Sequence, residues 1–414
     1  MKSRTRRTFL VLLLAIPVLV GFLAGAGKGL SRRLKERNRE ALIGLAHEAS
    51  ARLDRSQAVE AAADLRKALD GIDGLGNKED QMTVFEGIVR VSMSAKFQTK
   101  DREGLFHDIA LKIARLQICH DAWEESNWKL KALQQLLDAG QSASLSEEAQ
   151  VHLIQACLAS VAEVKLHPDP KSEMAVLNAR NTRYDHCMKA LMAIGDALSK
   201  RRLSPGVEVE QMRAIAEAQE RIRATDPKRN WDVFQGIVQK VVVSRLTDHD
   251  LAFHRSYKPG APQKWADAPY LVGKVCPICL TREREDQPFR AELGGPVFNA
   301  LPQDLRSLGC EEIGTLVGIY VTDVAVGTYH REATLDGRGM GFTSSGLPKM
   351  GTAYRVDMDV VLFDRTKGTP IASKRFTGGK PPDRIEGGGD GYGERPWKEI
   401  AEYLANLPRI SSGP

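Results

Sequence analysis

The hydrophobic period changes once along this chain, and that change limits what the chain can fold into. From about Leu34 to Arg223 apolar residues recur three and four positions apart, as in Leu42, Leu45 and Ala49, or Leu130, Leu133, Leu136 and Leu137, with charged residues between them. This spacing gives each helix one apolar stripe. After Tyr257-Lys258-Pro259-Gly260-Ala261-Pro262 the apolar runs become short and rich in Val, Ile and Tyr, the period of strands. A helical region followed by a small α+β domain is the expected organisation.

Within the helical region the breaks are readable. Gly71-Ile72-Asp73-Gly74 and Asp138-Ala139-Gly140 read as helix stops, and His167-Pro168-Asp169-Pro170 ends one helix and opens the next. Ser144 to Glu147 has the spacing of a capping box. Seven or eight helices joined by short loops predict hairpins stacked into a bundle or solenoid. No short repeat period is evident. The best internal echo, Val84-Phe85-Glu86-Gly87-Ile88-Val89 against Val233-Phe234-Gln235-Gly236-Ile237-Val238, lies too far apart for a helical repeat and reads as two similar apolar faces.

The strand-like part begins with Tyr270 to Thr281, continues at Thr315 to Val326, and contains a hairpin from Tyr354 to Phe363 through a turn at Asp364 to Gly368 into Ile371 to Phe376. Helices are expected at Pro302 to Leu308 and Pro396 to Leu407, with Pro396 in the first helical turn. Asp336 to Met350 and Gly378 to Glu394 read as glycine-rich surface connections. The residues Tyr270-Leu271-Val272-Gly273-Lys274-Val275, Leu301-Pro302, Ile313-Gly314-Thr315, Gly327-Thr328-Tyr329, Gly379-Lys380-Pro381-Pro382 and Tyr403-Leu404-Ala405-Asn406-Leu407-Pro408 follow one another in an order that resembles an uncharacterised domain of bacterial membrane-anchored or repeat-containing proteins. The resemblance covers about a third of the chain and implies no activity and no catalytic residue.

Thr8 to Ala26 is an apolar run without an ionisable side chain, flanked by Lys2, Arg4, Arg6 and Arg7 and by Lys28, Arg32, Arg33, Lys35, Arg37 and Arg39. Nineteen residues at about 1.5 Å each cover about 28 Å, the reach of a transmembrane helix. The expectation is a single-pass signal-anchor in a cell membrane with the main body outside the cytoplasm. The alternatives are a secreted product after cleavage at Ala24-Gly25-Ala26, or a cytoplasmic body. Residues 1–40 hold ten Lys or Arg and two Glu, so although the whole chain carries +6, the remainder is slightly negative. A body of that charge argues against nucleic acid as a partner. Lys200, Arg201 and Arg202 read as a solvated helix end.

Candidate chemistry is sparse. Cys276-Pro277-Ile278-Cys279 has the spacing of a redox dithiol or half a zinc site, yet it lies inside a strand-like run and has no second pair, only Cys310 and distant histidines. The cysteines Cys119, Cys157 and Cys187 fall on apolar helix faces, where buried free thiols are expected. Asp248, His249, Asp250 and His254 form the densest His/Asp cluster and read as a solvated linker; Cys119-His120 and His186-Cys187 point apart on a helix. Gly337 to Gly341 and Gly387 to Gly393 lack the Lys-Ser/Thr ending of a phosphate loop. A hydrolytic grouping of Asp323, Tyr329, His330 and Ser344-Ser345 has no motif behind it.

Together these readings give an α+β multidomain chain: a basic tail at 1–7, a transmembrane helix at 8–26, and a basic juxtamembrane segment at 27–40. A helical bundle or solenoid-like domain at 41–225, a linker at 226–262, a domain with a mostly antiparallel sheet at 263–408 and a tail at 409–414 complete it. The expected function is a membrane-anchored, non-enzymatic protein-interaction or scaffolding role, with the lipid bilayer at residues 8–26 and another protein as partners. The alternative is a hydrolase or a thiol- or metal-dependent enzyme with its site in the C-terminal domain. No catalytic, cofactor-binding or metal-ligating residue is assigned, and no cofactor is expected.

Overall fold

The computed structural model describes residues 36–75, 77–115, 123–161, 173–201, 203–225, 232–258, 263–281, 290–329, 351–383 and 389–410. The chain divides into two compact units, Met1–Arg202 with Ala214–Asn230, and Leu203–Arg213 with Trp231–Pro414.

The first unit is helical. Its helices are α1 (36–54), α2 (Ala58–Gly71), α3 (Lys78–Ser92), α4 (Thr99–Arg115), α5 (Trp123–Ser142), α6 (Glu147–Val161), α7 (Glu173–Lys200) and the second part of α8 (Pro205–Thr225). Helices two apart in the chain pack together, α2 on α4 and α4 on α6, α3 on α5 and α5 on α7, so the unit has two rows of helices. Polar links between successive hairpins carry this order: Arg66 to Asp108, 42 residues apart, Ser146 to Glu103, 43 apart, and Gln135 to Glu86, 49 apart. A spacing that drifts in this way explains why no fixed period is visible in the sequence. The core between the rows holds Leu65, Phe85, Ile88, Phe106, Ile109, Leu133 and Leu136, each almost wholly removed from water.

Three local readings change here. Helix α5 runs through Gly140 to Ser142 instead of stopping at Asp138, because a Cβ at Gly140 would stand 2.4 Å from Leu153 Cδ2; the glycine is there for close packing. The start of α6 is capped by Ser146, whose hydroxyl accepts from Ala149 N at 3.3 Å, and Ser144 instead sits in the left-handed region at φ 50°. Arg201, read as solvated, is buried and donates to the carbonyl of Leu137 at 3.0 Å.

The second unit is built on a six-stranded sheet in the order β3-β2-β4-β5-β6, with β7 beside β5. The strands are β1 (Leu271–Val272), β2 (Lys274–Thr281), β3 (Arg290–Leu293), β4 (Ile313–Tyr329), β5 (Gly351–Asp364), β6 (Thr369–Phe376), β7 (Gly391–Tyr392) and β8 (Arg409–Ile410). The β5–β6 hairpin turns at Asp364, whose carboxylate accepts from the backbone of Thr366 and Lys367, with Gly368 at φ 66°. Three of the five strand pairings in this sheet are antiparallel; β2 runs parallel to β4 because α11 (Gly295–Ala300) carries the chain across between them, and β7 is parallel to β5. Residues 302–308 are not helical. They run beside β2, with Val275 N donating to Leu305 O at 2.7 Å and Ser307 N to Val275 O at 3.2 Å. One face of the sheet holds Val317, Ile319, Val356, Met358 and Leu362 against α11 and α12 (Trp397–Ala405). Helices α9 (Phe234–Val241) and α10 (Asp248–Ser256) occupy residues read as linker and belong to this unit. The residues of the internal echo, in α3 and α9, therefore fall in different units.

The expected transmembrane helix at 8–26 lies outside the described residues. No helix among the described residues is long and apolar enough to cross a membrane; even α7, 28 residues long, carries Arg180, Arg183, Asp185, Lys189 and Asp196. The fold class is thereby corrected to mixed α and β, with twelve α-helices and two sheets among the described residues, in place of an architecture that includes a single-pass signal-anchor.

Candidate functional site

A groove of about 840 Å³ lies along the row formed by α1, α3 and α5. Its walls follow from helical spacing. Ala46, His47, Ser50 and Asp54 share one face of α1; Thr83, Gly87, Arg90 and Ser94 share one face from α3 onward; Gln135, Ala139 and Ser142 share one face of α5. Depth comes from small side chains, since Gly87 faces Ala46 with room only for ordinary contact at 3.5 Å from a would-be Cβ. The floor is apolar, with Ala46, Leu53, Val84, Val89 and Ala139 buried, and the rim is polar and exposed.

The electrostatics of the rim are partly self-satisfied. Lys96 pairs with Asp54 at 2.5 Å, and Gln135 donates to Glu86 at 2.8 Å. Arg90 and His47 are exposed and make no ion pair or hydrogen bond through their side chains among the described residues. The volume falls within the usual range for ligand sites, and a floor of apolar side chains with a few polar groups on the rim is the usual lining. Sequence reasoning passed over these residues because each helix face, taken singly, is an ordinary amphipathic surface. Only the stacking of three hairpins brings them together.

Among the described residues, Cys276, Cys310 and Asp250 lie near the Arg365 guanidinium, but those singled out from the sequence form neither a dithiol nor a metal centre. Cys276 and Cys279 both lie on β2, three residues apart, so they point to opposite faces of the sheet and cannot act as a dithiol. Cys279 packs against the α11–α12 side, while Cys276 is fully buried on the other, its thiol pushed up to about 12 by burial. Cys310 lies 3.7 Å from the Arg365 guanidinium, and burial raises its thiol as well. Cys157 is a buried free thiol, as expected, but Cys187 is disulfide-bonded. Cys119, His120, His330, Ser344 and Ser345 lie outside the described residues. Among the described residues no group of three or more His, Cys, Asp or Glu side chains could hold a metal ion.

The cluster read as a solvated linker is instead a packed element. Thr247 and Asp250 form a capping box at the start of α10, and the Asp250 carboxylate also accepts from Arg365 at 2.6 Å. Burial raises the Asp250 carboxyl, but the bonds from Arg365 and Thr247 outweigh it and leave it below its ordinary range. His254 is wholly buried between Phe253, Phe363 and Tyr320. The Tyr320 hydroxyl donates to the His254 carbonyl at 2.7 Å, so its oxygen receives the imidazole Nδ1–H at 3.2 Å and leaves Nε2 without a partner. Burial pushes this imidazole down to about 3, which makes it a neutral packing group.

The second glycine-rich segment is no phosphate cradle either. Residues 389–393 run beside β5, and a Cβ at Gly351 would stand 1.6 Å from the Gly389 carbonyl, so these glycines permit backbone to pack on backbone. A further cavity of about 510 Å³ lies between the outer end of β4, with Val326 and Tyr329, and Arg355, Lys380 and Pro382. Among the described residues its lining holds no Ser, Cys or His side chain.

Compared with known proteins, the chain matches no protein-family model, no curated protein and no solved structure.

Proposed function

We propose that this protein is a non-enzymatic interaction protein whose helical unit holds a segment of a partner polypeptide in the α1–α3–α5 groove. The observation that carries the reading is the groove itself: an apolar floor, a polar rim contributed by three successive hairpins, and an exposed Arg90 and His47 whose side chains make no ion pair or hydrogen bond among the described residues. Arg90 selects a carboxylate on the bound segment, because a guanidinium and a carboxylate make charge-assisted hydrogen bonds. The second unit, whose residues resemble those of an uncharacterised bacterial domain, serves as a second binding module. The disulfide at Cys187 supports an oxidising compartment, in line with a body outside the cytoplasm.

The test is selection of displayed random peptides on the full chain, followed by affinity measurements on groove variants. A charge-assisted hydrogen bond contributes about 1.5–3 kcal/mol, so Arg90→Glu should weaken an acidic selected peptide about tenfold or more. Ser50→Trp, which fills the groove from an exposed position, should abolish binding. If no peptide is enriched, or if enriched peptides bind both variants as well as the parent, the groove is not the site.

A further inference from the structure

Away from the groove, α4 and α6 place two imidazoles together. The rings of His107 and His152 have centroids 5.6 Å apart and planes inclined at 58°. Both side chains are exposed, and neither makes a hydrogen bond or ion pair among the described residues. The two helices run side by side in the same direction: Glu103, one turn before His107, accepts from the backbone of Ser146, close before His152 in α6. The same spacing recurs in both helices, Glu103 to His107 and Glu148 to His152, so equivalent positions of successive hairpins carry equivalent groups.

We propose that His107 and His152 form a binding site for a divalent transition-metal ion of the zinc, nickel or copper class, joining the second and third helical hairpins. Neutral imidazole is a favoured ligand for these ions, whereas calcium and magnesium prefer oxygen. An ion about 2.0–2.1 Å from one nitrogen of each ring stands about 3.2 Å from each centroid, and two such rings at the tetrahedral angle have centroids about 5.2 Å apart. The observed separation is close to that value. No third His, Cys, Asp or Glu among the described residues completes the set, so water or a donor from a bound partner fills the remaining positions. The ion makes no new bond within either helix; it links two helices that otherwise meet through packing and the Ser146–Glu103 hydrogen bond, and it stabilises the folded arrangement by mass action.

The test is titration of the full chain with Ni²⁺ and with Zn²⁺, read by calorimetry and by the thermal midpoint. The parent should show one saturable site and a rise in midpoint. His107→Gln and His152→Gln, both at exposed positions, should each weaken that site by at least about tenfold, the loss that disturbing even an outer-shell partner causes. His249→Gln, at an exposed position in the other unit, should leave it unchanged. Copper provides a second readout: the electron paramagnetic resonance spectrum of the one-to-one complex should show two coordinated nitrogens in the parent and one in either variant. A site that survives in His107→Gln or His152→Gln, or a copper spectrum unaltered by both, would overturn the proposal.

Discussion

His254 gives the sharpest handle on the second unit. Its imidazole is wholly buried, its Nε2 faces no acceptor, and it stays neutral in the folded chain down to about pH 3. In the unfolded chain a histidine takes up its proton at about pH 6.5. The unfolded state therefore binds the extra proton first, and the contribution of the neutral ring to stability is complete above about pH 6.5 and is lost as pH falls from there toward 3. Each pH unit in that window costs about 1.4 kcal/mol, so moving from pH 7 to pH 5 removes about 2 kcal/mol. Glu208 acts in the opposite sense: burial, only partly offset by Arg245, raises its carboxyl, so the folded state gains on acidification. Comparing the parent with His254→Gln cancels that contribution, since both chains retain Glu208. The assay is amide hydrogen exchange in β4 and β5, at Leu316 to Tyr320 and Val360 to Phe363, corrected for intrinsic rates. Between pH 7 and pH 5 protection in the parent should fall about 30-fold more than in the variant. Equal pH dependence in the two proteins would show that His254 is not a buried neutral group and would refute the reasoning.

Two further results are expected. Gly314→Ala should destabilise the second unit by about 1–3 kcal/mol in a denaturant titration, because the added Cβ would stand 2.3 Å from the Val272 carbonyl oxygen, a backbone atom that also accepts from the Thr315 hydroxyl. In alkylation mass mapping Cys157 and Cys276, fully buried with thiols pushed up to about 12 by burial, should be unreactive in the native chain and react once it is denatured; Cys187 should react only after reduction as well.

The elements that were legible in the sequence are those whose signal is local. The β5–β6 hairpin announces itself through alternating apolar residues and the Asp364 to Gly368 turn, and the helices of the first unit through their apolar stripes. What escaped depends on distant partners. Strand β3 is four half-exposed residues, Arg290 to Leu293, that form a strand only because β2 offers them an edge. Gly140 reads as a stop until Leu153 is seen to need the space. His254 looks like part of a polar tract, yet the α10 cap at Thr247 turns it onto Phe363 and Tyr320. The groove and the His107–His152 pair are likewise products of hairpin stacking, whose spacing drifts too much to be read as a repeat.

The most direct test of the proposed function is hydrogen exchange of the full chain with and without a peptide selected on it. Slowed exchange confined to residues 43–54, 83–96 and 135–142, absent in Ser50→Trp, is the result expected of a segment seated in the α1–α3–α5 groove. Slowed exchange confined to the sheet of the second unit, or none at saturating peptide, would contradict it.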